Sequence, residues 1–242
     1  MLKVELHSHT GDDPHDSIPY SSTALIDHAA ALGYGALAIT LHNKQLDITN
    51  LRAYAAERGV VLIPGIERTL EGKHVLLLNF PAAAENVRTF SDLEHLKRHS
   101  RGLIVAPHPF FPSRSCLWTY LDRYSHLFDA VECNAMFTRQ ADFNRPARRW
   151  ARKAGKPVVG NGDVHRLCQL GTTYSLVEAD PCPDAICEAI AAGRVSVVAR
   201  PLTWREATSI LGDLFGWRTD AGPQVQTKRA GDSTNISLPQ NV

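Results

Sequence analysis

Apolar runs of strand length alternate with helix-like stretches along most of this 242-residue chain, and that alternation constrains its fold more than any other feature. The runs fall at 2–9, 36–42, 60–66, 74–80, 102–107, 130–134, 157–162 and 195–199. Between them lie Ser22 to Leu32, Ile48 to Arg58, Ala84 to Ser100, Thr138 to Ala154 and Asp184 to Ala192. Ser21 or Ser22 is placed to cap the first helix, and Gly33, Gly59, Gly155 and Gly193 stand just past the last turns. Repeated β-then-α units imply a mainly parallel sheet, and Val75-Leu76-Leu77-Leu78, apolar at every position, suits a sheet buried on both faces. The runs at 60–66 and 74–80, joined through Glu71-Gly72-Lys73, read as a hairpin that interrupts the parallel order. One domain is expected over residues 1–200, then a short helical extension over 201–218. Residues 219–242 are rich in Gly, Pro, Gln, Ser, Thr and Asn with little to bury, and are expected to form a disordered tail.

Composition narrows the function classes. An apolar fraction of 44% and a charged fraction of 21% are those of a globular protein, and 26 basic against 25 acidic residues argue against a surface built to coat a polyanion. No apolar run is long enough to span a membrane, and no signal-peptide pattern precedes the first strand. The five cysteines (Cys116, Cys133, Cys168, Cys182 and Cys187) follow neither a disulfide framework nor a CxxC pair, so reduced thiols and a cytoplasmic location are expected.

The chemistry-bearing residues sit at strand ends. In a parallel α/β sheet the C-terminal strand ends form one rim, where reactive groups collect. The first run ends in His7-Ser8-His9, and alternation along a strand sets these imidazoles side by side, a spacing suited to a divalent metal. The next runs end at His42 and Glu67, and His74 opens the return strand. His108 follows Ile104-Val105-Ala106-Pro107, Ala130-Val131 leads into Glu132-Cys133-Asn134, and the run at 157–162 ends in Asp163-Val164-His165. Six of the eleven histidines therefore fall on the inferred rim beside an aspartate and a glutamate, and this co-occurrence points to a metal centre. His15, His28, His95, His99 and His126 read as ordinary loop or helix residues.

Five segments in order, His7-Ser8-His9-Thr10, Ala38-Ile39-Thr40-Leu41-His42-Asn43, Ile63-Pro64-Gly65-Ile66-Glu67, Ala106-Pro107-His108-Pro109 and Gly162-Asp163-Val164-His165, resemble the motifs of the polymerase and histidinol phosphatase (PHP) superfamily. Thr172 to Pro201 resembles the small region that often follows them. The resemblance implies a distorted (β/α)7 barrel holding two or three divalent ions, and hydrolysis of a phosphoester. Carried over, His7, His9, Glu67 and Asp163 match the ligands of a first metal; Glu67, as a bridge, with His74 and His108 match a second; His42, His165 and a loop aspartate match a third. Asp12, Asp13 and Asp16 all follow the His-x-His, and the count back from the first helix favours Asp16. One position departs from the pattern: where the family reads Thr-Asp-His, this chain has Thr40-Leu41-His42. Leucine offers His42 no polar support, so either another group aligns His42 or the third site fills weakly.

Imidazole and carboxylate ligands together suit manganese, zinc or iron. The expected reaction is metal-dependent hydrolysis of a phosphoester by an activated water, with Glu67 and Asp163 fixing the ions and orienting the nucleophile. The expected substrate is a phosphorylated small molecule or nucleotide, or a short oligonucleotide. Lys44, Arg68, Arg114, Arg139 and Arg166 follow rim motifs, and Arg114 and Arg166 follow the ligands most closely, so these two are the expected phosphate contacts. Phe110, Phe111 and Trp118 could stack a base or pack as a hydrophobic lid. Two rivals remain open: a metal-binding regulatory module weakened in catalysis, and a barrel hydrolase of amides or lactones, for which no lysine ligand is evident.

Overall fold

The computed structural model describes residues 1–214. The expected tail at 219–242 and the last residues of the expected extension at 201–218 lie outside them. Among the described residues nine strands form one sheet in the order β7-β6-β5-β4-β3-β2-β1-β8-β9. They are β1 (Leu2–Glu5), β2 (Ala36–Ile39), β3 (Val61–Leu70), β4 (Lys73–Leu78), β5 (Leu103–Ala106), β6 (Ala130–Asn134), β7 (Val158–Asn161), β8 (Thr173–Val177) and β9 (Val195–Ala199). The helices are α1 (Ser22–Ala31), α2 (Thr49–Ala56), α3 (Phe90–His99), α4 (Thr119–Arg123), α5 (Asn144–Ala154), α6 (Pro183–Ala191) and α7 (Trp204–Leu214). No helix among the described residues is long and apolar enough to cross a membrane.

β1 to β3 pair in parallel, as do β5 to β7, while β4 runs antiparallel to both neighbours. The hairpin expected at Glu71-Gly72-Lys73 is thus present, and it replaces one β/α unit of a regular barrel. The sheet nearly closes on itself. Beyond the ends of β1 and β7, Ser8 and Val164 form a parallel bridge, with His9 N donating to Val164 O at 3.0 Å and Val164 N to His7 O at 3.1 Å. Lower down, Ser175 of β8 seals the seam: its Oγ accepts from Gly160 N at 2.9 Å and donates to Gly160 O at 3.1 Å. One buried cluster draws Val4, Ala36, Ile63, Leu76, Val105, Ala130 and Val159 from β1 to β7 and packs with Ile186 and Ile190 of α6. Two further clusters bury the helices against the sheet, one around Phe90 and Phe128, the other around Leu25, Ile26, Leu37 and Leu41.

Local chemistry explains the element ends. Ser21 Oγ accepts from Ala24 N and caps α1, and Gly155 ends α5 with φ at +66°. β8 and α4 were not foreseen. Gly160 marks the closure seam, since a Cβ there would lie 2.7 Å from Tyr174 O and 2.8 Å from Val197 Cγ1. Gly160→Ala is therefore expected to destabilise the fold by about 1–3 kcal/mol. At about 2–4 °C of melting temperature per kcal/mol for a chain of this size, thermal unfolding followed by circular dichroism would register it. An unchanged melting temperature would show that the seam yields freely.

Candidate metal centre

The sequence-predicted ligands converge on the rim. Regular pairing of β1 stops at Glu5, where Leu6 N donates to Asn161 Oδ1, and the chain then carries His7 and His9 across the barrel mouth with ring centroids 5.3 Å apart. Glu67, 1% exposed, lies at the centre of the group. Its Oε2 is 3.3 Å from His7 Nε2, 3.4 Å from His9 Nε2 and 3.1 Å from His42 Nε2. Its Oε1 is 2.7 Å from His74 Nδ1 and 3.2 Å from His108 Nε2. The two oxygens thus face two different histidine sets. Asp163 Oδ1 completes the first set at 3.3 Å from His7 Nε2 and 3.6 Å from His9 Nε2. Asp16 Oδ2 lies 3.0 Å from His165 Nε2 and 3.5 Å from His42 Nδ1, gathering the third.

The donor set fits divalent cations. His7 Nε2 and His9 Nε2 are buried without a hydrogen-bond partner, an expensive arrangement that ligation would relieve. Tetrahedral bonds of about 2.0–2.1 Å place ligand atoms about 3.4 Å apart, close to the His7, His9, Glu67 and Asp163 spacings. Burial pushes the Glu67 carboxyl up, but the imidazoles of His74, His7, His108 and His42 outweigh it and hold the group well below the usual carboxylate range. Asp163 is also held low against burial, chiefly by His7. Glu5, by contrast, is pushed up to about 8 by burial although it accepts from Gly162 N and His7 N. Two of the candidate ligands also sit on strained backbone, His108 at φ +26° and Asp163 at φ +48°, at about 1–3 kcal/mol each.

Groups behind the imidazoles aim them, and sequence reading assigned no role to Glu132, Asn134 or Cys116 among them. Glu132 Oε1 is 2.9 Å from His7 Nδ1, while its Oε2 accepts from His108 N at 2.7 Å. Asn134 Nδ2 donates to Asp163 Oδ2 at 3.1 Å. Glu132 and Asn134 stand two apart on β6, the same spacing as His7 and His9, and that was the available signal. Cys116 Sγ lies 3.4 Å from His108 Nδ1, which nothing local in the sequence foretells. Asp13 bears on the departure at Leu41. Its Oδ1 accepts from His15 N and Asp16 N, and its Oδ2 meets His9 Nδ1 at 3.0 Å, His42 Nδ1 at 3.0 Å and His42 N at 2.9 Å. The support that position 41 lacks comes from the first loop, and Leu41 is a fully buried core residue beside Leu37 and Ile39. Of the two alternatives for His42, alignment by another group is the one this geometry supports.

The expected phosphate-binding arginines are not brought to the cleft. Arg114 is exposed, and neither it nor Arg166 lines the opening above the histidines. Arg166 N and His165 N both donate to Gln169 Oε1. Arg68 is buried, donating to Val87 O and to Asn43 Oδ1. Phe111 reaches the cleft, whereas Phe110 packs edge-on to Trp118 with centroids 5.9 Å apart.

Residues 141–195 match the family model described as PHP-associated, a region that takes in Asp163, His165 and most of the segment expected after them. No curated protein sequence matches the chain. Among solved structures, PsfC from Pseudomonas syringae PB-5123 is similar at TM-score 0.61 and 17% identity, over 88% of this chain and 97% of its own. A candidate metal-dependent phosphoesterase from Bifidobacterium adolescentis is similar at TM-score 0.56 and 14% identity, over 78% of this chain and 96% of its own. The lesion-specific endonuclease PfuEndoQ from Pyrococcus furiosus matches at TM-score 0.56 and 15% identity, over 87% of this chain and 66% of its own.

Proposed function

From the premise that this chain has a PHP-type barrel fold and carries a PHP-associated region at 141–195, we propose that it is a metal-dependent phosphoesterase. The observation that carries the reading is Glu67, whose two oxygens face separate sets of imidazoles around two orphaned ring nitrogens. His7, His9, Glu67 and Asp163 would hold one ion, Glu67, His74 and His108 a second, and Asp16, His42 and His165 a third. Bound divalent ions supply Lewis acidity, which offsets the negative charge of a phosphoryl group and makes water more acidic.

The protein's own residues do the remaining work. Glu132 and Asp13 keep the ε-nitrogens of His7 and His9 aimed at the centre by occupying their Nδ1 atoms. Glu67, almost sealed from solvent, is a fixed anchor. Of the two carboxylates on the cleft floor, Asp163 is 20% exposed and Glu67 1%, so Asp163 is the one that water entering the cleft reaches, and its Oδ2, steadied by Asn134, would accept the proton of the attacking water. Manganese, zinc and iron all suit these ligands. The metal-loaded protein should release phosphate from a generic aryl phosphate or open an aryl phosphodiester. Stoichiometric metal uptake without hydrolysis of any ester would favour the regulatory-module reading instead.

A further inference from the structure

The cleft above the metal centre has an unusual lining for a phosphate enzyme. It encloses about 540 Å³, within the range of small-molecule sites. Its floor is His42, Glu67, His74, His108, Asp163 and His165. Its walls are mainly apolar: Phe111 and Pro112 from the β5–α4 loop, Met136, Phe137 and Phe143 from the β6–α5 loop, and Trp204 and Leu211 from α7. Among the described residues no lysine or arginine lines it.

The wall is built rather than incidental. α7 is moored beside the cleft by Leu202 N donating to Phe137 O at 2.8 Å, and by Leu202, Ala207 and Ile210 packed with Met136. Thr203 and Glu206 cap it reciprocally, Thr203 N donating to Glu206 Oε2 and Glu206 N to Thr203 Oγ1. The Phe111 and Phe143 rings meet at 5.4 Å. Trp204 is nonetheless 56% exposed and Phe143 40% exposed, which leaves apolar area for a ligand to cover.

We propose that this cleft takes a phosphoester with one phosphoryl group and one uncharged aromatic or branched apolar arm, and that it is not a nucleic-acid groove. This rests on the phosphoesterase reading above and adds the substrate class. Double-stranded DNA carries a charge about every 1.7 Å and is held through lysines and arginines that neutralise it, and the described residues of the cleft supply neither. A single phosphoryl group needs no such track, because the floor meets it, while the aromatic walls recover the hydrophobic contribution of the arm.

Benzyl phosphate and ethyl phosphate test this, because their leaving alcohols are similar in basicity and differ in the apolar arm. With manganese-loaded full-length protein, kcat/KM for benzyl phosphate should exceed that for ethyl phosphate by about tenfold or more. Trp204→Ala and Phe143→Ala should each shrink that ratio several-fold, whereas Trp118→Ala, an exposed tryptophan outside the cleft, should leave it in place. A ratio near one, a ratio unmoved by Trp204→Ala and Phe143→Ala, or a higher kcat/KM on an oligonucleotide would overturn the proposal. Calorimetric binding of benzylphosphonate against ethylphosphonate separates the two layers. Tighter benzylphosphonate binding with no ester hydrolysed removes the phosphoesterase reading and keeps the apolar slot. Equal binding removes the slot even if esters are cleaved.

Discussion

Glu67→Ala is expected to lower kcat/KM by about a thousandfold or more and to strip metal from more than one site at once. The reason is geometric. Glu67 Oε2 lies within 3.4 Å of ring nitrogens of His7, His9 and His42, and its Oε1 within 3.2 Å of His74 and His108. Glu132 also touches both sets, but it meets His7 at Nδ1 and His108 at its backbone N, away from the ring nitrogens that face Glu67, so it cannot substitute. Electrostatic stabilisers in a reaction site are worth about 10²–10³ singly, and Glu67 is asked to place two charges. Glu132→Gln should be milder, because Glu132 reaches the centre indirectly, through His7 Nδ1, His108 N and Asn134 Nδ2, and about 10–100-fold in metal affinity is the expected loss. Metal titration of the three proteins, followed by kinetics on one aryl phosphate, gives the comparison. Equal effects at Glu67 and Glu132 would show that Glu67 is not a bridge.

Leu41→Asp is expected to damage the fold and not to strengthen the His42 site. Leu41 is 0% exposed in the cluster around α1 and α2, so the substitution removes apolar packing worth about 2–5 kcal/mol and buries a carboxylate with no cation built beside it. Asp13→Ala should do the opposite: it leaves that cluster intact and deprives His9 and His42 of their Nδ1 partner. Metal affinity should fall by about 10–100-fold while the melting temperature of metal-free protein changes far less. Thermal unfolding and manganese titration of both variants separate the cases. A stable Leu41→Asp protein with raised metal occupancy would return the missing support to position 41.

The convergence of the candidate ligands was legible in the sequence because strand alternation and the rim rule act on local pattern. His7 and His9, Glu67, and Asp163 with His165 each end an apolar run, so placing the strands places them. The groups behind them were less visible. Asp13 faces His42 only because the first loop folds back, through Asp13 Oδ1 accepting from His15 N and Asp16 N, and from sequence it competed with Asp12 and Asp16. Glu132 was seen at a strand end, but its role depends on β6 lying across the barrel from His7. β8 is five residues, Thr173–Val177, with only alternate positions buried against its neighbours, too short to stand out from a loop. The arginines misled for a simple reason: nearness in sequence to a ligand says little about where a long side chain goes once the loop turns. Of the apolar cleft only Phe111 was singled out from sequence, since its walls come from two loops and a helix far apart in the chain.

Metal content per chain tests the central claim most directly. Protein loaded with excess manganese or zinc, freed of unbound ions and measured by elemental analysis, is expected to retain more than one divalent ion per chain. Ester hydrolysis should disappear on chelation and return when metal is restored. A chain that retains no tightly held ion and hydrolyses the same ester at full rate in excess chelator would contradict the account.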